Sequence, residues 1–388
     1  MRHRHEILQL PQFHQRSVSK ARPGFRRTRE GKDNLMDLQD QVQRRIDELA
    51  ESELGLQVAV YRRGELVVDA VAGAGITPET LFFAASTGKG ASATVANVLV
   101  DRGVLDYDLP IVELWPEFGA HGKERATLRH VLTHTVGLPA LPPGTTRKTL
   151  PEQASRLAAA EPWWEPGTKM TYHAETFGLL VAEIVRRATG RTISAALRDI
   201  VTPLGIAENV FFALPAEHHA RLARLVEPAG AEETFASLAQ LFEKVMPPAM
   251  LPRADLLNRP EELAIEDASS GILTARGIAK LYAGLIGEVD GVRLVRPEAV
   301  PVITGPALTA PDELLGNPAT LALGYAIGRL GSTAAESPAT IGWPGMGGSA
   351  AWADTRSGVT FALTRTLFDP SGSASALEIG NLVAKTLC

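Results

Sequence analysis

Strand-like segments lie at the two ends of this 388-residue chain and helical ones in its middle, an arrangement that limits the fold more than any other feature. Val58-Ala59-Val60-Tyr61 and Leu66-Val67-Val68 flank Arg62-Arg63-Gly64-Glu65 and read as a β-hairpin. Near the other end, Ala350 to Ala353 and Val359 to Thr364 are joined by Asp354-Thr355-Arg356-Ser357-Gly358. The two ends are expected to build one antiparallel sheet, and the middle a helical lobe, with a cleft between them as the natural place for a site. This is an α+β architecture.

The helices follow from apolar spacing and stop signals. Asp37 is expected to cap a helix carrying Leu38, Val42, Ile46 and Leu49 on one face. Ala91, Val95, Val98 and Leu99 have helical spacing, closed by Gly103. A Pro- and Gly-punctuated stretch then runs to about residue 170, with short helical pieces such as Leu128 to His134. Helices are expected from Ala174 to Ala188, from Thr192 to about Ile200 and from Gly271 to Gly287, and one more finishes the chain. Residues 210–265 read as helical and loop-rich. The first and last helices and the one after Ser86 would cover the sheet. The α/β lobe would comprise about 37–105 and 268–388, and the helical lobe about 106–267.

Composition adds exclusions. A hydrophobic fraction of 45% with 21% charged residues suits a globular chain with a large core, and a net charge of −5 gives no reason to expect nucleic acid. The single cysteine, Cys388, permits no intramolecular disulfide and is a poor nucleophile candidate at the terminus. Residues 1–35 hold nine Arg or Lys against three Asp or Glu, while the remainder is acidic. They are expected to be a disordered basic tail ahead of a domain at 36–388, and Met36 is a candidate start. The tail has no apolar run for a signal-peptide core or a membrane span, so a cytoplasmic location and no membrane partner are expected.

Three segments carry chemistry. In Ser86-Thr87-Gly88-Lys89, one helical turn separates a hydroxyl from an amine, placing both on the same face. A lysine with a free lone pair takes the proton that makes serine a nucleophile. Read alone, such a string is common and is more often a helix N-cap followed by a solvated lysine. Tyr172, in a turn leading into a helix, would relay protons if it lay near that pair, or else be an amphipathic residue at a lobe boundary. Gly342-Trp343-Pro344-Gly345-Met346-Gly347-Gly348-Ser349 precedes a strand. Its glycines would let backbone approach a ligand and pair an N–H with that of Ser86 as an oxyanion hole, or would make a flexible loop.

Together these segments resemble the serine β-lactamase and penicillin-binding-protein superfamily, and within it the class C-like family VIII carboxylesterases. Thr133-His134-Thr135-Val136-Gly137-Leu138-Pro139 looks like that group's T-H-T-S-G-L-P segment with Val136 for serine. Leu105 to Pro110 and Trp164-Glu165-Pro166-Gly167 ahead of Tyr172 also fit, over about residues 37–388. The resemblance implies a β-lactamase-like fold with the active site in the cleft. It implies that Ser86 is acylated, that Lys89 and Tyr172 share general-base and general-acid work, and that Met346 N–H is the second oxyanion donor. Trp343 and Gly345 fall within the substrate-binding strand, and His134 is expected to be structural.

The departures point to substrate. Ala174 stands where β-lactamases carry the asparagine of Y-x-N, and Trp343 where they carry the lysine of K-T-G. A site lacking the polar partner loses its preference for the polar substrate. A less charged, more apolar ester is therefore expected over penicillins. The leading reading is a serine carboxylesterase acting on a small-molecule ester. A transacylase that passes the acyl group to an alcohol or amine is the alternative. β-Lactamase or D-peptidase activity and a non-catalytic scaffold rank lower. No cofactor or metal is expected: His121, His130, His134 and His173 lack zinc-ligand spacing, and His218-His219 would point apart. The motifs carry no signal of oligomeric state.

Overall fold

A computed structural model describes residues 29–388. The first strands are β1 (Gly55–Arg62) and β2 (Glu65–Gly73), followed by three short ones, β3 (Phe82–Phe83), β4 (Val210–Phe211) and β5 (Ile272–Leu273). The C-terminal part supplies β6 (Leu308–Pro311), β7 (Pro318–Leu321), β8 (Ala326–Ile327), β9 (Thr340–Pro344), β10 (Ala350–Asp354) and β11 (Val359–Arg365). The eight-stranded sheet runs β2-β1-β11-β10-β9-β8-β7-β6, so the two ends of the chain meet where β1 pairs antiparallel with β11. Val58 lies opposite Leu363 and Ala59 opposite Ala362.

Side chains alternate across a strand, so this register sorts the sheet's residues into two faces. Leu56, Val58, Val60, Trp352, Phe361 and Leu363 form one core with Leu38, Val42 and Ile46 of helix α1 (Arg29–Glu53) and with the C-terminal helix Ala374–Leu387. The opposite face carries Ala59, Tyr61, Ala351, Ala353 and Ala362 within a second core. Small residues there leave room for the helix Ala275–Ile286, which packs on β1, β10 and β11, while helix α2 (Lys89–Asp101) lies against β9. The site is built on this second face.

Asp37 lies inside α1 rather than at its cap, because that helix begins at Arg29. The expected disordered tail therefore yields residues 29–35 to α1, and residues 1–28 lie outside the described residues. The helix expected from Gly271 starts at Ala275, with Thr274 accepting from Gly277 N–H as its cap, since Ile272 and Leu273 pair as strand β5. Between α2 and β5 the described chain is helical or irregular apart from β4. There the helix Thr176–Thr189 ends on Gly190 in the left-handed region at φ 70°. Among the described residues no helix is long and apolar enough to cross a membrane.

Candidate active site

The chain reaches Ser86 from β3, which pairs with β5 through Phe82–Leu273 and Phe83–Ile272. The pairing continues beyond the strand as Ala84 N–H donates to Gly271 O at 2.8 Å and Gly271 N–H to Ala85 O at 3.1 Å. Ala85 is held at φ 45°, a left-handed conformation that a residue with a Cβ rarely adopts. That bend starts a 3-10 turn, Ala85–Gly88, and α2 begins only at Lys89. Ser86 is thus not the N-cap of an α-helix. It sits one tight turn earlier, where i and i+3 side chains eclipse and Ser86 comes directly over Lys89.

Lys89 is fully buried, at 0% exposure. Its Nζ lies 3.2 Å from Ser86 Oγ, 2.6 Å from Ala174 O and 2.9 Å from Ser269 O. The amine thus has three hydrogen-bond partners, two buried carbonyls and the serine hydroxyl. The phenol of Tyr172 donates to the same Ser86 Oγ at 2.7 Å, and its ring centroid is 5.0 Å from Lys89 Nζ. The three side chains expected to act together therefore meet at one oxygen.

The glycine-rich strand edge abuts the Ser86 turn. A Cβ on Gly345 would lie 2.1 Å from Ala84 O and 2.8 Å from Thr87 Oγ1, so only glycine allows this approach. Among the described residues neither Ser86 N–H nor Met346 N–H donates to a protein acceptor. Gly345 N–H is spent on Ser349 O at 2.7 Å, so this residue spaces the site and offers no donor to a substrate. Beneath the loop Arg365 Nε donates to Gly347 O at 2.8 Å, and Glu53 pairs with its Nη1 at 2.7 Å. Both charges are buried and paired, as such groups must be.

Trp343 lies on β9 beside the Tyr172 ring. Its indole N–H donates to Gly324 O at 2.8 Å, and the ring presents an apolar wall 5.6 Å from the Tyr172 ring. His134 packs behind both rings, 5.2 Å from Tyr172 and 5.6 Å from Trp343. Its Nδ1 accepts from His173 N–H at 3.0 Å, which assigns its proton to Nε2. Burial first, then the charges of His173 and Lys89, hold its pKa well below the ordinary range, so it is a neutral support. His173 is pushed down to about 4 by burial. It accepts from Leu138 N–H at 3.1 Å on Nε2, and its Nδ1 lies 2.7 Å from Thr171 O, so the proton sits on Nδ1. Neither histidine reaches Ser86 as a base.

Ala174 sends its carbonyl to Lys89 and has no polar side chain to offer a substrate amide. Two neighbours went unread in the sequence. Ser269 O is a Lys89 acceptor, and a backbone role leaves no residue-type signal. Glu175 is buried beside the same network, with Oε2 unpartnered, and reads in sequence as an ordinary acid at the start of a helix. Burial, then the negative charge of Asp267, raises its carboxyl to about 8, against the pull of Lys89 and Arg147. Among the described residues no cluster of three or more His, Cys, Asp or Glu is placed to hold a metal ion.

The sequence matches the beta-lactamase family over residues 42–384. The chain belongs to that family. It is 34% identical over 332 residues to the esterase/beta-lactamase LipL of Mycobacterium tuberculosis, covering 80% of this chain and 76% of LipL. Over 182 residues it is 32% identical to the esterase EstB of Burkholderia gladioli, 42% of this chain and 46% of EstB. A crystal structure of a family VIII carboxylesterase superposes with a TM-score of 0.80 at 26% identity, over 91% of this chain and 98% of that one. The superfamily resemblance and the fold class read from the motifs both hold.

Proposed function

We propose that this enzyme hydrolyses carboxylic esters through an acyl-enzyme on Ser86, with Lys89 and Tyr172 moving the protons. The observation that carries the proposal is the convergence of Lys89 Nζ and Tyr172 Oη on Ser86 Oγ, at 3.2 and 2.7 Å. The esterase relatives and the family VIII carboxylesterase structure support the substrate class.

Lys89 takes the Ser86 proton as Oγ bonds to the ester carbonyl carbon. The carbonyl oxygen becomes an oxyanion held by Ser86 N–H and Met346 N–H, donors whose worth grows as the charge develops. The carbon–oxygen bond to the alcohol then breaks. Tyr172 gives its proton to the departing oxygen, and the Lys89 ammonium beside the ring stabilises the phenolate before restoring its proton. Water repeats the sequence, losing its proton to the same pair, and Ser86 is released with its hydrogen restored. The wall made by Trp343 and Ala174 offers no cation and no amide, which suits an uncharged acyl group.

A short-chain p-nitrophenyl ester tests the reading. Ser86→Ala should abolish turnover while leaving the thermal unfolding midpoint within a few degrees of the parent. Retained turnover in that variant would contradict the assignment.

A further inference from the structure

Tyr172 belongs to no helix or strand, since the helix after it begins at Thr176, so no regular ladder fixes its backbone. Yet its phenol must hold a hydrogen bond to Ser86. What fixes the segment comes from the far side of the cleft. The turn between β6 and β7, residues 312–317, docks against Met170, Thr171 and Tyr172. Glu313 N–H donates to Met170 O at 2.9 Å, and Met170 bridges to Asp312 in parallel.

Asp312 is the centre of this contact. Its carboxylate is buried, at 4% exposure. Oδ1 accepts from Thr171 Oγ1 at 2.5 Å, Leu314 N–H at 2.8 Å and Leu315 N–H at 2.9 Å, and Oδ2 accepts from Tyr172 N–H at 2.8 Å. Closing its own turn needs only the two leucine amides, a common use of aspartate. The reach to Thr171 and Tyr172 is extra, and it ties the C-terminal sheet to the segment that carries the phenol. Charge-assisted bonds of this kind are short and directional, as a fixed ring position requires. With its oxygens engaged by protein donors, Asp312 has no free face for substrate.

We propose that Asp312 is a positioning residue for Tyr172, acting on the rate through the phenol and not by touching substrate. This rests on the catalytic role proposed for Tyr172. In Asp312→Asn one acceptor becomes a donor facing N–H groups, and the Tyr172 segment loses its anchor. A displacement of about an ångström at a reacting group costs on the order of 10²-fold in rate. kcat for the p-nitrophenyl ester should fall by about that factor with KM little changed.

The deciding experiment is a double-mutant cycle with Tyr172→Phe, read as kcat per mole of folded enzyme. Asp312→Asn should cost little or nothing further in the Tyr172→Phe background. An equal fold-loss in both backgrounds, or no loss in either, would overturn the inference. Thr171→Val, which removes one hydroxyl partner and keeps the carboxylate, gives the same cycle should Asp312→Asn not fold. It should show a smaller loss that likewise disappears without the phenol, and an additive loss counts against the inference in the same way. If Tyr172→Phe alone leaves kcat unchanged, the proposed role of Tyr172 fails, and with it this one. If only the cycle is additive, Asp312 alone is misassigned.

Discussion

Tyr172 Oη donates to Ser86 Oγ across 2.7 Å, although the two residues come from different halves of the molecule, one after a two-residue strand and one from an irregular segment. Removing the phenolic oxygen leaves the ring in its apolar setting against Trp343 and His134. Tyr172→Phe should therefore fold normally and lose about two to four orders of magnitude in kcat for an ester, the usual worth of a proton-transfer group. Steady-state kinetics with a matched melting curve reads both. A rate within a few-fold of the parent would remove Tyr172 from the mechanism.

Gly345 separates the glycine-rich strand edge from the Ser86 turn by less than a methyl group, its would-be Cβ falling 2.1 Å from Ala84 O. Gly345→Ala must push the two apart, at about 1–3 kcal/mol of stability, the usual cost of overpacking. It should also move Met346 N–H away from the oxyanion position and lower kcat. The informative comparison is Gly75→Ala, whose added methyl meets nothing within 4 Å, so its cost comes only from its left-handed backbone at φ 74°. That variant should lose some stability and keep its activity. Equal activity in the two variants would contradict a role for this contact.

Two buried titratable groups give the fold a pH signature of opposite sign on each flank. His173 has a folded pKa of about 4 against an ordinary 6.5, so protons favour the unfolded chain. Its contribution, about 3 kcal/mol, is present above pH ~6.5 and is lost as the pH falls toward about 4. Glu175 has its carboxyl raised from 4.5 to about 8, so its contribution is fully present below about 4.5 and declines as the pH rises through about 8. Melting temperatures measured from pH 4 to 9 should show Glu175→Gln flattening the alkaline arm and leaving the acid arm in place. An unchanged alkaline arm in that variant would show that Glu175 ionises normally.

The sequence carried the parts of the site that depend on local spacing. Ser86 and Lys89 face together because three residues make one turn, and the helices closed by Gly103 and Gly190 end where those residues permit a left-handed conformation. Strands β10 and β11 were legible as apolar runs around a turn, and joining the two chain ends in one sheet was correct. What stayed hidden is set by distant contacts. β6, β7 and β8 are short and include Pro311 and Pro318, so no alternation marks them. β3, β4 and β5 are two residues each and exist only because they pair with one another. Asp312 reads as an ordinary turn residue, and nothing local tells that its second oxygen reaches Tyr172. Trp343 is placed by the motif, but nothing local tells that its indole N–H is engaged by Gly324 O.

The most direct measurement is the site of covalent labelling by a fluorophosphonate, read by peptide mass spectrometry on the intact enzyme and on Ser86→Ala. One adduct per chain on the peptide bearing Ser86, absent from the variant, is the expected result. An unlabelled wild-type enzyme that still hydrolyses esters, or an adduct that persists in Ser86→Ala, would contradict nucleophilic catalysis by this residue.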